Sequence, residues 1–88
     1  MKHVRIKEMK KELEKIISPI VEKEGLIFDS VRLKRMDGKK AIEVIVDKED
    51  SVDVDDCARL SKLIDPLLEE VDPFGGESYL LIVSSPGS

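Results

Sequence analysis

Asp37-Gly38 is the tightest constraint on what this chain can become. A two-residue hairpin turn needs positive φ at both central positions, which Asp tolerates and Gly favours. The pair therefore predicts that its flanking segments fold back on each other as antiparallel strands. Upstream, Leu26 to Met36 carries Phe28, Val31 and Leu33 among polar residues. Their phase slips between Phe28 and Val31, which predicts a bulge or a late strand start. Downstream, Lys40 to Lys48 alternates, with Ile42, Val44 and Val46 directed to a core and Ile45 to the opposite face.

Helical periodicity brackets the hairpin. From about Arg5 to Glu24, residues Ile6, Met9, Leu13, Ile16, Ile17, Ile20 and Val21 recur at steps of three and four. Such a stripe marks an amphipathic helix. Pro19 has no N–H and its ring crowds the preceding turn, so a kink or break is expected near Lys15–Ser18. Gly25 supplies a stop. A second helix is expected from Val54, with Asp53 as N-cap and Asp56 in the capping-box position. Its stripe is Val54, Cys57, Ala58, Leu60, Leu63 or Ile64, Leu67, Leu68 and Val71, and Pro66 repeats the interruption.

After a loop at Asp72-Pro73-Phe74-Gly75-Gly76, Ser78 to Ser84 reads as a third strand. Its unbroken apolar run suggests burial on both faces or a central position. Pro86 and Gly87 close it. The fold expected is α+β, a two-layer sandwich in the order α-β-β-α-β, with two helices on one face of a three-stranded sheet. If the second and third strands are neighbours, they run parallel through a right-handed crossover.

The sign of the charge changes along the chain. Arg32, Lys34, Arg35, Lys39 and Lys40 surround Asp37 alone, whereas Asp47, Glu49, Asp50, Asp53, Asp55 and Asp56 accompany Lys48 alone. The acidic edge suits a basic protein, and the basic hairpin suits a grazing contact with RNA phosphates. A simpler account exists for each. Aspartates favour a helix N-terminus by capping and through its dipole, worth ~0.3–1 kcal/mol each. Arg32 and Lys34 would form the solvent side of an alternating strand. With 15 basic and 19 acidic residues, the net charge of −4 argues against general nucleic-acid binding.

Other chemistries find little support. His3 is the single histidine, so no histidine triad can form. Cys57, the single cysteine, lies on a helical apolar stripe and reads as a packing residue, with a nucleophilic role as the alternative. The acidic stretch lacks the turn glycine of a calcium loop. Gly75-Gly76 precedes a strand, not the helix of a phosphate loop. Two Phe, one Tyr and no Trp provide no base-stacking platform. The longest apolar run, Tyr79 to Val83, is too short to span a bilayer, and no signal-type apolar region follows the N-terminus. A cytoplasmic protein with no cofactor, metal or membrane partner is expected.

Two motifs carry a family resemblance. Asp55-Asp56-Cys57-Ala58-Arg59-Leu60-Ser61 opens the second helix, and Ser84-Ser85-Pro86-Gly87 ends the third strand. With Pro19, Gly25-Leu26, Ile45-Val46-Asp47-Lys48 and Asp72-Pro73, they make nearly the whole chain, residues 1–88, resemble the N-terminal domain of the RimP ribosome maturation factors. The resemblance implies a non-enzymatic factor that assists late assembly of the small ribosomal subunit by engaging the basic ribosomal protein of the decoding centre. On that reading Asp47, Asp53, Asp55, Asp56 and Arg59 form the protein-binding edge. Arg32, Lys34, Arg35, Lys39 and Lys40 are secondary candidates for rRNA.

The family's sheet is distantly like that of KH-type domains, so a direct rRNA-binding module is the alternative, although the nucleotide-clamping Gly-x-x-Gly loop is missing. In the family, Ser84, Ser85, Pro86 and Gly87 would lead through a linker into an Sm-like barrel. Here the sequence reaches Ser88, by truncation or by natural shortening. A monomer is expected, with weak self-association through a surface that normally meets the barrel.

Overall fold

The elements follow in the order α1 (Ile6–Lys23), β1 (Ile27–Met36), β2 (Lys39–Asp47), α2 (Val54–Val71) and β3 (Tyr79–Ser84). The computed structural model describes residues 6–50 and 52–86, so the readings placed on His3, Arg5 and Gly87 lie outside the described residues. β1 and β2 pair antiparallel around Asp37 (φ 53°) and Gly38 (φ 78°), both in the left-handed region that the tight turn requires. The phase slip is a bulge between Phe28 and Ser30. It returns Val31 and Leu33 to the face already used by Phe28.

β2 is the central strand of a mixed sheet ordered β1-β2-β3, and β3 pairs with it in parallel after the crossover through α2. Leu13, Ile17 and Val21 of α1, Ile42, Val44 and Val46 of β2, and Leu60, Ile64 and Leu68 of α2 form one core without solvent exposure. Both helices therefore cover the same face, α1 over β1 and α2 over β3. Burying one such aliphatic side chain contributes about 1.5–3 kcal/mol. Ala41 and Ile45 are also buried but point to the helix-free face. Ile45 lies in register between Ser30 and Ser84.

Three expectations change. Neither helix breaks at its proline; each runs unbroken for 18 residues. A proline removes a single backbone bond, and buried residues on both sides, Ile17 with Val21 and Ile64 with Leu68, hold the helix to the core. Val54, Ala58 and Val71 leave the apolar stripe of α2, with Val54 83 % exposed in its first turn and Ala58 and Val71 open to solvent. β3 is neither central nor doubly buried. It is an edge strand in which Tyr79, Leu81 and Val83 pack on the helix side, while Leu80 remains 36 % exposed. An apolar run reads alike for a buried strand and for an edge strand whose outer face is left open.

Helix ends follow local chemistry. Leu26 N–H donates to the Val21 carbonyl at 3.1 Å and Gly25 N–H to that of Glu22 at 3.0 Å, with Gly25 at φ 83°. This is the Schellman ending, and it buries Leu26 under the last turn of α1. At the start of α2, Asp56 N–H donates to Asp53 Oδ1 at 2.8 Å, and Asp53 N–H donates back to Asp56 Oδ2 at 3.3 Å. The predicted capping box is thus complete.

Candidate interaction surface around the second helix

The acidic edge has two layers. Inside lies Asp56, only 4 % exposed, with Lys48 Nζ 3.3 Å from its Oδ2 and Arg59 Nη2 2.9 Å from its Oδ1. Arg59 also donates from Nε to Glu24 Oε1 at 2.8 Å. One network thereby joins the end of α1, the end of β2 and the first turns of α2. The Asp53 N–H, against the penalty of burial and aided by Arg59 and Lys48, holds the Asp56 carboxyl below its ordinary 3.8. Asp56 and Arg59 are engaged within the fold.

The outer layer faces water. Asp47, Glu49, Asp50, Asp53 and Asp55 are all exposed. Asp47 accepts from the Lys48 N–H at 2.8 Å, and Asp53 is occupied as the cap. Asp55, Glu49 and Asp50 hold no ion pair among the described residues. A basic surface arriving here would meet carboxylates that hold no ion pair among the described residues.

The basic hairpin is divided by the pleat. Arg32, Lys34 and Lys39 lie on the helix-free face, while Arg35 and Lys40 oppose each other on the helix side. Like charges directly opposite destabilise a pair. Glu77 relieves this one, 3.1 Å from Lys40 Nζ, as does the Phe74 ring 5.1 Å away. On the other face Lys34 pairs with Glu43 at 3.3 Å, and Glu43 accepts from Ser84 Oγ at 3.0 Å. The Ser84 hydroxyl, with Lys34 and Arg32, holds Glu43 below its ordinary 4.5 despite partial burial.

Sequence reasoning missed Glu24, Glu43 and Glu77, the acids that satisfy these cations. Glu43 reaches Lys34 across the hairpin, whereas only the tertiary fold brings Glu24 to Arg59 and Glu77 to Lys40, 35 and 37 residues apart. Cys57 is half-buried, and burial followed by the charges of Asp56 and Asp53 pushes its thiol above the ordinary 9.0. Ser84 ends β3, Ser85 is half-buried and Pro86 is exposed.

With this geometry in place, comparison with protein-family models matches residues 16–88 to the RimP N-terminal domain. The chain belongs to that family. The match spans most of the chain, from the middle of α1 through β3. Membership in the RimP family implies a role in ribosome maturation. Seen on the RimP fold, the motif Asp55 to Ser61 is largely architectural. Asp56 closes the capping box, Arg59 bridges to α1 and Leu60 fills the core. Asp55, Ala58 and Arg59 are its exposed residues, Arg59 through the outer part of its side chain. Among the described residues no helix is long and apolar enough to cross a membrane.

Proposed function

We propose that this RimP N-terminal domain, residues 1–88, assists late assembly of the small ribosomal subunit in the cytoplasm by non-enzymatic contact with the basic ribosomal protein of the decoding centre. Family membership carries the ribosomal part of this reading. The exposed carboxylates at Asp47, Asp53 and Asp55, with Glu49 and Asp50 between them, are in no ion pair among the described residues and support the choice of a basic partner. Asp56 and Arg59 hold that edge in shape. Arg32, Lys34 and Lys39, together on the helix-free face, supply a secondary contact with rRNA, with Arg35 and Lys40 at its rim. Ser84, Ser85, Pro86 and Gly87 serve as a linker.

The test is a titration of the chain against the purified decoding-centre protein at low and moderate salt. Binding that weakens with salt supports the reading, because exposed charge pairs are screened beyond about 10 Å at 0.1 M. Changing Asp47, Asp53 and Asp55 together to Asn weakens binding at least ~10-fold, or about 1.4 kcal/mol. Unchanged affinity in the folded triple variant overturns the assignment.

A further inference from the structure

The two edges of the sheet are built differently. The β1 edge is blunted by its bulge and by Asp29, Arg32, Lys34 and Arg35, devices that discourage strand pairing. β3 has none of them. Tyr-Leu-Leu-Ile-Val-Ser contains no charge, no proline and no bulge, and among the described residues its outer side has no strand partner. Leu80 and Ile82 add apolar surface on the helix-free face.

Acidic side chains predominate around this edge, although Lys40 is in register with Tyr79 and paired to Glu77. Lys62 also lies one turn before Asp65 on α2. α2 buries Leu60, Ile64 and Leu68, and its Leu63 and Leu67 line clefts shared with Ile16 and Ile20 of α1. Asp65 and Glu69 therefore fall on the opposite flank, over β3. With Asp72 they act electrostatically on the Tyr79 hydroxyl, which is buried with no hydrogen-bond partner among the described residues. The last turn of α2 carries no basic residue, although a helix C-terminus favours one. Asp65 and Glu69 make no ion pair among the described residues.

The geometry points to the β3 edge as a docking site for an extended polypeptide segment that adds as a fourth strand and alternates basic with apolar residues. Backbone pairing supplies the affinity of such strand addition, and alternate side chains supply its specificity. Basic side chains of the incoming strand would lie under Asp65, Glu69 and Asp72. Its apolar ones would extend the surface of Leu80 and Ile82. A second copy fits less well. Antiparallel pairing of two β3 edges about a two-fold axis sets both α2 flanks on the same face, acid against acid. This inference does not depend on the partner proposed above, and it uses a different surface from the Asp47–Asp55 edge.

The test uses the isotope-labelled chain with a capped synthetic peptide of alternating lysine and valine. A control peptide has the same composition, with the lysines and valines in separate blocks. The alternating peptide should bind and slow amide exchange across Tyr79–Ser84, while the block peptide binds at least ~10-fold more weakly. Replacing Asp65 and Glu69 together by Lys, both on the exposed flank, should lower affinity by at least ~10-fold, as should Ile82→Lys. Circular dichroism establishes that each variant is folded, and the flank variant decides the matter if Ile82→Lys is not.

Equal binding of both peptides would overturn the proposal. So would shifts centred on Asp47–Asp55 or on the α1–α2 cleft with β3 exchange unchanged, or no binding at all. Concentration-dependent protection of β3 without peptide would assign the edge to a second copy and overturn it as well.

Discussion

At the scale of single residues, Asp56 has most to explain, because a carboxylate that is 4 % exposed must be satisfied from within. Its folded pKa lies below the ordinary 3.8, first through the Asp53 N–H and then through Arg59 and Lys48 against burial. A depressed carboxylate contributes stability above its unfolded pKa and loses it as pH falls through the folded value. Asp56→Asn should therefore lower Tm at pH 7, and the gap from the parent chain should narrow in acid below pH 3.8. Parallel melting curves at neutral and acid pH check this, and a constant gap contradicts it. Cys57 offers a second reading at this scale. With its thiol raised by burial and then by Asp56 and Asp53, alkylation at neutral pH should be slower in the folded chain than in denaturant.

At the scale of elements, the local signals were the legible ones. Asp37-Gly38, the Gly25 stop and the Asp53–Asp56 box depend on neighbouring residues alone, and each forms as read. Removing the cap by Asp53→Ala should destabilise the fold by about 1 kcal/mol, measurable by denaturant titration. Ile64→Ala, which opens a cavity where α2 meets the sheet, should cost about 2–5 kcal/mol by the same measurement. What could not be read was decided by tertiary context. The apolar run of β3 says that one face is buried but not that the strand is an edge. The prolines announce breaks that the core overrides. Of the candidate site, the acidic stretch was visible as composition. Its division into an internal Asp56–Arg59 network and an outer layer depends on Glu24 and Lys48, one of them 35 residues from Arg59.

At the scale of the whole molecule, the sheet joins two kinds of contact. β1 and β2 meet through a two-residue turn, whereas β2 meets β3 across the whole of α2, with Lys40 in register with Tyr79. Closing the longer loop costs more chain entropy and comes later. The parallel edge strand should also open first, so in the peptide-free chain Tyr79–Ser84 amides should exchange before those of Ile42–Val46. This parallel closure imposes an order on synthesis. The hairpin can form while the nascent chain is still short, but the sheet cannot be completed until Tyr79–Ser84 has cleared the exit tunnel. Until then the β2 side that later binds β3 stands open, so the same backbone edge that completes the sheet is exposed during synthesis.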